Sequence, residues 1–157
     1  MRVSFEQIAD FLGSGGVAAV PTETVYGLAA SLNYPAAIDK IFVIKGRPPT
    51  NPLIIHISEP SQVLRFAHSI PPDFEKIAQA FWPGALTIVL PIAVEKVPNN
   101  VRANLSTAAF RVPKHPLALE LIHRTGPLVM PSANLSGRPS STCVEHVEND
   151  FGKDFPI

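Results

Sequence analysis

Residues 45–56 read Lys-Gly-Arg-Pro-Pro-Thr-Asn-Pro-Leu-Ile-Ile-His. They join a predicted helix to a predicted isoleucine-rich strand, a connection typical of α/β proteins. Lys45 and Arg47 have no acidic residue within five positions, so no ion pair close in sequence accounts for either cation. A backbone that can approach closely at Gly46, beside an ammonium and a guanidinium, suits an oxyanion such as a phosphate. An exposed basic turn is the alternative.

The composition predicts one domain spanning residues 1–157 and argues against several classes of function. Lys and Arg number 13, as do Asp and Glu, so strong non-specific nucleic-acid binding is not expected, although a local basic patch would fit. The single cysteine, Cys143, excludes an internal disulfide and a CxxC metal site. No metal site is predicted.

The chain is expected to be cytoplasmic and to have no membrane span. Arg2, Glu6 and Asp10 give the start an amphipathic pattern that no signal peptide has. Residues 77–94 carry no charge, but prolines and a glycine interrupt them, which would leave backbone groups unpaired in lipid.

Hydrophobic periodicity predicts alternating strands and helices without strict βαβ order. Ser4 and Gln7 form a capping box for the first helix, and Thr142 with Glu145 repeats that pattern before the last one. The helices are predicted over 4–12, 35–45, 61–68, 72–81, 116–124 and 142–151. In the helix over 72–81, Phe74, Ile77, Ala78 and Phe81 are expected to face inward. The strands are predicted over 17–20, 52–58, 85–90, 107–112 and 128–130, with a second apolar segment over 25–30. The predicted fold is an α/β domain with a twisted, mixed sheet flanked by helices.

A threonine-rich loop and two predicted strands carry polar side chains beside apolar segments. Residues 21–27 place threonine hydroxyls and Tyr26 between two buried segments, as a pocket wall or an ordinary threonine-rich turn. His56 is either a ligand-binding residue or a core histidine. Arg111 lies within a strand, where an unpaired guanidinium is costly to bury, so it should meet a carboxylate or a ligand, and we favour the ligand.

The loop over 131–142 is rich in small hydrogen-bond donors. Such a loop can surround phosphate and ribose oxygens, and the helix predicted directly after it argues against a flexible linker. The common nucleotide-binding and hydrolase motifs, G-x-x-x-x-G-K-[ST], G-x-G-x-x-G and G-x-S-x-G, are missing. Any catalysis is therefore expected to work by positioning and charge stabilisation.

Taken together, these segments resemble the YrdC/TsaC family of threonylcarbamoyl-AMP synthases. The resemblance covers about residues 15–145, and five segments in register carry it: Pro21-Thr22-Glu23-Thr24-Val25-Tyr26-Gly27-Leu28, Lys45-Gly46-Arg47-Pro48 with Asn51-Pro52-Leu53 and His56, Trp82-Pro83-Gly84-Ala85-Leu86-Thr87, Phe110-Arg111-Val112-Pro113 with His115-Pro116, and Ser132-Ala133-Asn134-Leu135-Ser136-Gly137.

The resemblance implies a YrdC-like fold and an enzyme that makes threonylcarbamoyl-AMP and pyrophosphate from L-threonine, bicarbonate and ATP. Mg²⁺ would be held mainly through the phosphates. A partner transferase would then modify tRNA, and direct tRNA contact is possible.

The resemblance also implies roles for individual residues. The signature tetrad, expected to be catalytic, is Lys45, Arg47, Ser132 and Asn134. The ATP contacts are Arg47, Asn51, Thr107 (or its neighbour Ser106), Ser132 and Ser140. The threonine side is Thr22, Tyr26, His56, Arg111 and Met130.

Compared with the family, the chain is short at its C-terminus, where it stops at Ile157. Two alternatives stay open: an RNA- or nucleotide-binding module of this fold without synthase activity, and the carbamoyl-handling role of such domains in hydrogenase-maturation proteins. The second is disfavoured because the chain has no zinc-finger or acylphosphatase-like segment.

Overall fold

The computed structural model describes residues 3–157, so Arg2 of the amphipathic N-terminal pattern lies outside it. The strands are β1 (Ala18–Val20), β2 (Gly27–Ser31), β3 (Ile54–His56), β4 (Ile88–Pro91), β5 (Thr107–Arg111) and β6 (Leu128–Val129). The α-helices are α1 (Phe5–Gly13), α2 (Pro35–Lys45), α3 (Phe74–Phe81), α4 (Asn99–Arg102), α5 (Pro116–Thr125) and α6 (Val144–Phe151), and 3-10 helices cover Pro60–Arg65 and Val94–Lys96.

The six strands form one mixed sheet in the order β1-β2-β6-β3-β5-β4. Only β3 and β5 pair in parallel, and the other four pairings are antiparallel. The predicted α/β class with a mixed sheet is therefore confirmed. No described helix is both long enough and apolar enough to cross a membrane.

Helices cover the two faces of the sheet unequally. One face packs against α2, α3, α4 and α6 in a large apolar cluster that includes Ile55 and Phe110. On the other face, the cluster formed with α1 and α5 takes sheet residues only from β1, β2, β6 and Met130 just after β6. The part of this face over β3, β5 and β4, which we call the helix-free half, has no helix packed on it among the described residues.

Strand register places polar side chains on the helix-free half. His56 pairs with Leu128 on one side and Arg111 on the other, and directly opposed residues project to the same face. Thr107 and Arg111 are four residues apart in β5 and therefore share that face as well.

The capping box of α1 is confirmed, since Ser4 Oγ accepts from the Gln7 backbone and Gln7 Oε1 accepts from the Ser4 backbone. The second capping box was wrong. Helix α6 begins after Cys143 without a side-chain cap, and the Thr142 backbone N–H instead donates to His146 Nδ1 at 3.3 Å.

Two other local predictions were wrong. The helix predicted over 61–68 is the shorter 3-10 helix Pro60–Arg65. In α3, Ile77 and Phe81 were expected to face inward, but they are 38% and 58% exposed. Within α3 only Phe74 and Ala78, four residues apart, are buried, and Trp82 directly after the helix is buried as well.

Candidate functional site

Lys45 joins two of the predicted loops. It lies in the last turn of α2, which ends in the left-handed conformation at Gly46 (φ 60°) that glycine adopts without strain. Lys45 is 3% exposed, and its ammonium donates to the backbone carbonyls of Ser132 and Asn134. In return, the Ser136 backbone N–H donates to the Lys45 carbonyl at 2.8 Å. We call this arrangement the lysine clasp.

Burial, and then the nearby charge of Arg47, lowers the pKa of Lys45 to about 8. Arg47 also stabilises its own loop. Its Nε donates to the Asn51 carbonyl at 3.2 Å and its Nη2 to the Pro52 carbonyl at 2.9 Å. No described residue accepts a hydrogen bond from Nη1 of Arg47, so this amino group is available to a ligand.

The loop after β6 is held from several sides. Asn134 Nδ2 donates to the carbonyls of Leu135 and Arg138, both at 2.8 Å. The carboxylate of Asp150, on α6, accepts from the Leu135 N–H at 2.9 Å and from Arg138 Nη1 at 2.7 Å. Burial raises the pKa of Asp150, but these hydrogen bonds outweigh it and hold the pKa below its usual value.

This loop also contacts the segment before β2. Tyr26 exchanges backbone hydrogen bonds with it, donating to the Ser141 carbonyl at 2.8 Å and accepting from the Ala133 N–H at 2.7 Å. The Tyr26 side chain also lines an apolar cavity of about 320 Å³ between α1, α5 and the C-terminal residue Ile157. Ser140 is exposed on the loop.

Arg111 and His56 form a second group on the helix-free half. His56 is 2% exposed, and its Nδ1 lies 3.2 Å from the Ile54 carbonyl. Burial, and then the positive charge of Arg111, lowers the pKa of His56 to about 3, so the ring is neutral near pH 7.

Arg111 has a carboxylate partner, Glu23, although a ligand was favoured for it. The Arg111 Nη2 to Glu23 Oε1 distance is 2.5 Å, and Nη2 also donates to Thr24 Oγ1 at 3.1 Å. Thr22 shapes this loop, because its Oγ1 donates to the Val25 carbonyl at 2.6 Å and accepts from the N–H of Thr24 at 3.2 Å.

The structure therefore brings most candidates into two groups. Lys45 contacts Ser132 and Asn134, and Arg47 contacts Asn51, whereas His56 lies beside Arg111. Met130 is buried beneath α1 and α5 with its side chain in the apolar cluster, and Gly27 packs against it. Thr107 begins β5 opposite Pro91.

Two charged residues of the site were missed, Glu23 and Asp150. The sequence contained a signal for Glu23. An arginine within a strand requires a carboxylate or a ligand, and Glu23 is the acidic residue of the threonine-rich loop. Asp150 had none, because its contacts with Leu135 and Arg138 depend on how α6 packs.

Known proteins resemble this chain over most of its length. The family described as Sua5_yciO_yrdC, Telomere recombination, matches residues 10–157. A threonylcarbamoyl-AMP synthase of Bacillus subtilis is 48% identical over 146 residues, covering 92% of this chain and 42% of that protein. One from Vibrio parahaemolyticus is 36% identical over 95% of this chain and 82% of that protein.

Among solved structures, Pyrococcus abyssi Sua5 complexed with L-threonine superposes with a TM-score of 0.92 at 43% identity, covering 99% of this chain and 47% of that one. The chain thus spans less than half the length of the Bacillus subtilis and Pyrococcus abyssi relatives. The matched residues include both groups of candidate side chains and nearly every described element. The chain belongs to the Sua5/YciO/YrdC family.

Proposed function

We propose that this chain is an L-threonylcarbamoyladenylate synthase, which converts L-threonine, bicarbonate and ATP into threonylcarbamoyl-AMP and pyrophosphate. The observation that carries the proposal is the pairing of two groups with complementary chemistry. Arg47, beside the lysine clasp, offers its free Nη1 group to a polyphosphate, and Arg111 offers a guanidinium to a carboxylate. The names of the relatives support this reading over a binding module without synthase activity.

Each group would bind one part of the reactants. Arg47, Asn51, Thr107, Ser132 and Ser140 would contact ATP, and Thr22, Tyr26, His56, Arg111 and Met130 would contact threonine. Arg111 would bind the carboxylate, and the neutral His56 ring would contact the amino acid without adding charge. Lys45 would act mainly through the clasp, since two of its three N–H donors already bind backbone carbonyls.

The chemistry needs no protein nucleophile. The threonine amine adds to the carbon of bicarbonate or dissolved carbon dioxide and gives a carbamate, with loss of water when bicarbonate is the source and of a proton to solvent when carbon dioxide is the source. A carbamate oxygen then attacks the α-phosphorus of ATP, the bond to the bridging oxygen breaks, and pyrophosphate leaves. The protein would align the reactants and stabilise the charged oxygens.

Mg²⁺ is expected to enter with ATP, where it would neutralise phosphate charge. The described residues contain no group of three or more His, Cys, Asp or Glu side chains suited to a metal. The side chains proposed to contact ATP carry hydroxyl, amide and cationic groups. These groups fit a Mg²⁺ ion that is held by the phosphates. Transfer of the product to tRNA by a partner enzyme, direct tRNA contact and a cytoplasmic location belong to the same proposal.

The test is pyrophosphate release with ATP, Mg²⁺ and bicarbonate, with and without L-threonine, and detection of the adenylate by mass. L-threoninamide, which has no carboxylate, is the matched control and should support little release. ATP binding without threonine-dependent release would refute the synthase and favour the binding module.

A further inference from the structure

The Glu23 carboxylate accepts hydrogen bonds from two residues that are close in sequence, Arg111 and Lys114. Its Oε1 accepts from Arg111 Nη2 at 2.5 Å, and its Oε2 accepts from the Lys114 backbone N–H at 3.0 Å. The Arg111 and Glu23 side chains are 12% and 21% exposed, so solvent screens the pair only partly. Burial raises the pKa of Glu23, but the hydrogen bonds, led by the one from Arg111, hold it below its usual value, and the carboxylate stays ionised.

The contacts of Arg111 leave one side of its guanidinium free. Nε donates to the Gly84 carbonyl at 3.0 Å, and Nη2 donates to both Glu23 and Thr24. No described residue accepts from Nη1, and this atom is not among the buried polar atoms without a partner, so it is accessible. A guanidinium carries five N–H donors in a rigid plane, so fixing Nε and Nη2 also fixes the direction of Nη1.

We propose that Glu23 is a positioning residue, which orients Arg111 so that Nη1 meets the carboxylate of the amino-acid substrate. This inference rests on the proposed function, because that function supplies the carboxylate. Glu23 does not contact the substrate and acts only through Arg111. Its second oxygen is anchored on the Lys114 N–H, so it remains in place when the substrate binds.

Two roles of Glu23, as a competitor of the substrate for Arg111 and as a positioning residue, predict opposite effects on threonine binding when its charge is removed. If Glu23 only competed with the substrate for Arg111, neutralising it would leave an unpaired cation and threonine would bind more tightly. If Glu23 positions Arg111, the same change would release the guanidinium and weaken binding. The glutamine amide has one acceptor oxygen, so if that oxygen faces Arg111 the NH2 donor faces the Lys114 N–H, and the reverse orientation leaves Arg111 facing a donor.

The experiment measures kcat and KM for L-threonine and for ATP in the full chain and three variants. In Glu23→Gln, we expect the KM for threonine to rise at least about tenfold, as for the loss of one charge-assisted contact, with the KM for ATP unchanged. Glu23→Asp keeps the charge but shortens the bridge, so it should also raise the KM for threonine. Glu6→Gln is the matched control, because it removes a carboxylate from another arginine, Arg124, away from the site.

A second measurement follows Arg111 without turnover. The Nε–Hε signal of Arg111, identified by its loss in Arg111→Lys, should be resolved in the wild-type NMR spectrum. It should shift or broaden in Glu23→Gln but not in Glu6→Gln. An unchanged signal, or an unchanged or lower KM for threonine in Glu23→Gln, would overturn the proposal. If the wild type shows no threonine-dependent release, the synthase proposal fails, and the NMR result still decides whether Glu23 orients Arg111.

Discussion

The Lys45 ammonium donates to the Asn134 carbonyl at 2.5 Å, across 89 positions of sequence. With the Ser132 carbonyl as its second acceptor, this contact fixes the loop after β6 against the end of α2. One buried charge thus determines the relative position of the two segments that carry the signature tetrad. Its removal should affect both segments together.

We expect Lys45→Met, which keeps the length of the side chain but removes its donors, to abolish adenylate formation. Two buried carbonyls would lose their donor, and the free energy of unfolding should fall by about 1–3 kcal/mol. Chemical denaturation and pyrophosphate release measure the two effects. Lys40→Met, at an exposed position of the same helix, is the control and should change neither.

Arg47→Ala and Arg111→Ala should each weaken the binding of a different substrate. Arg47 lies with the lysine clasp and Arg111 on the helix-free half, so the first variant should raise the KM or Kd for ATP and the second that for threonine. Each lost charge-assisted contact is worth about 1.5–3 kcal/mol, or roughly tenfold or more in affinity. Separate titrations with the two ligands measure this. Equal losses for both ligands in both variants would contradict the division of the site.

Gly84→Ala should destabilise the chain and also weaken threonine binding. A Cβ at Gly84 would lie 2.5 Å from the Phe81 carbonyl oxygen, which is backbone and cannot rotate away. The Gly84 carbonyl accepts from Arg111 Nε, so a shift here should move the guanidinium. Thermal unfolding and the KM for threonine are the measurements. Gly13→Ala is the control, because its Cβ would meet nothing within 4 Å.

Acid should destabilise the fold through His56 before most carboxylates titrate. The folded-state pKa of about 3 lies below the unfolded value of 6.5, so the unfolded chain binds the extra proton between them. Stability should therefore fall as pH drops from 6.5 to 4.5, with a slope of up to about 1.4 kcal/mol per pH unit. Urea denaturation at several pH values measures the slope, and His56→Gln should reduce it. An equal slope in that variant would assign the acid sensitivity to other groups.

The features that could be predicted from the sequence are those that depend on residues close together in the chain. Helix α2, with proline at its start and glycine at its end, and the capping box at Ser4 follow from side chains a few residues apart. The pairing of Arg111 with Glu23 spans 88 positions, and the sequence shows only that Arg111 needs a partner. The exposure of Phe81 could not be predicted either, because it depends on how far the neighbouring elements extend over α3.

Under the proposed function, the helix-free half would separate residues that face the substrate from those that maintain the fold. Val89, Ala109 and Ile54 form one row across β4, β5 and β3 on this face, and Val89 is 60% exposed. Their neighbours in the next row, Ile88, Phe110 and Ile55, project to the opposite, helix-covered face. The surface formed by this row can therefore be altered by mutagenesis without opening the core. Libraries at Val89 and Ala109 could retune the choice of amino acid in a chain that still folds.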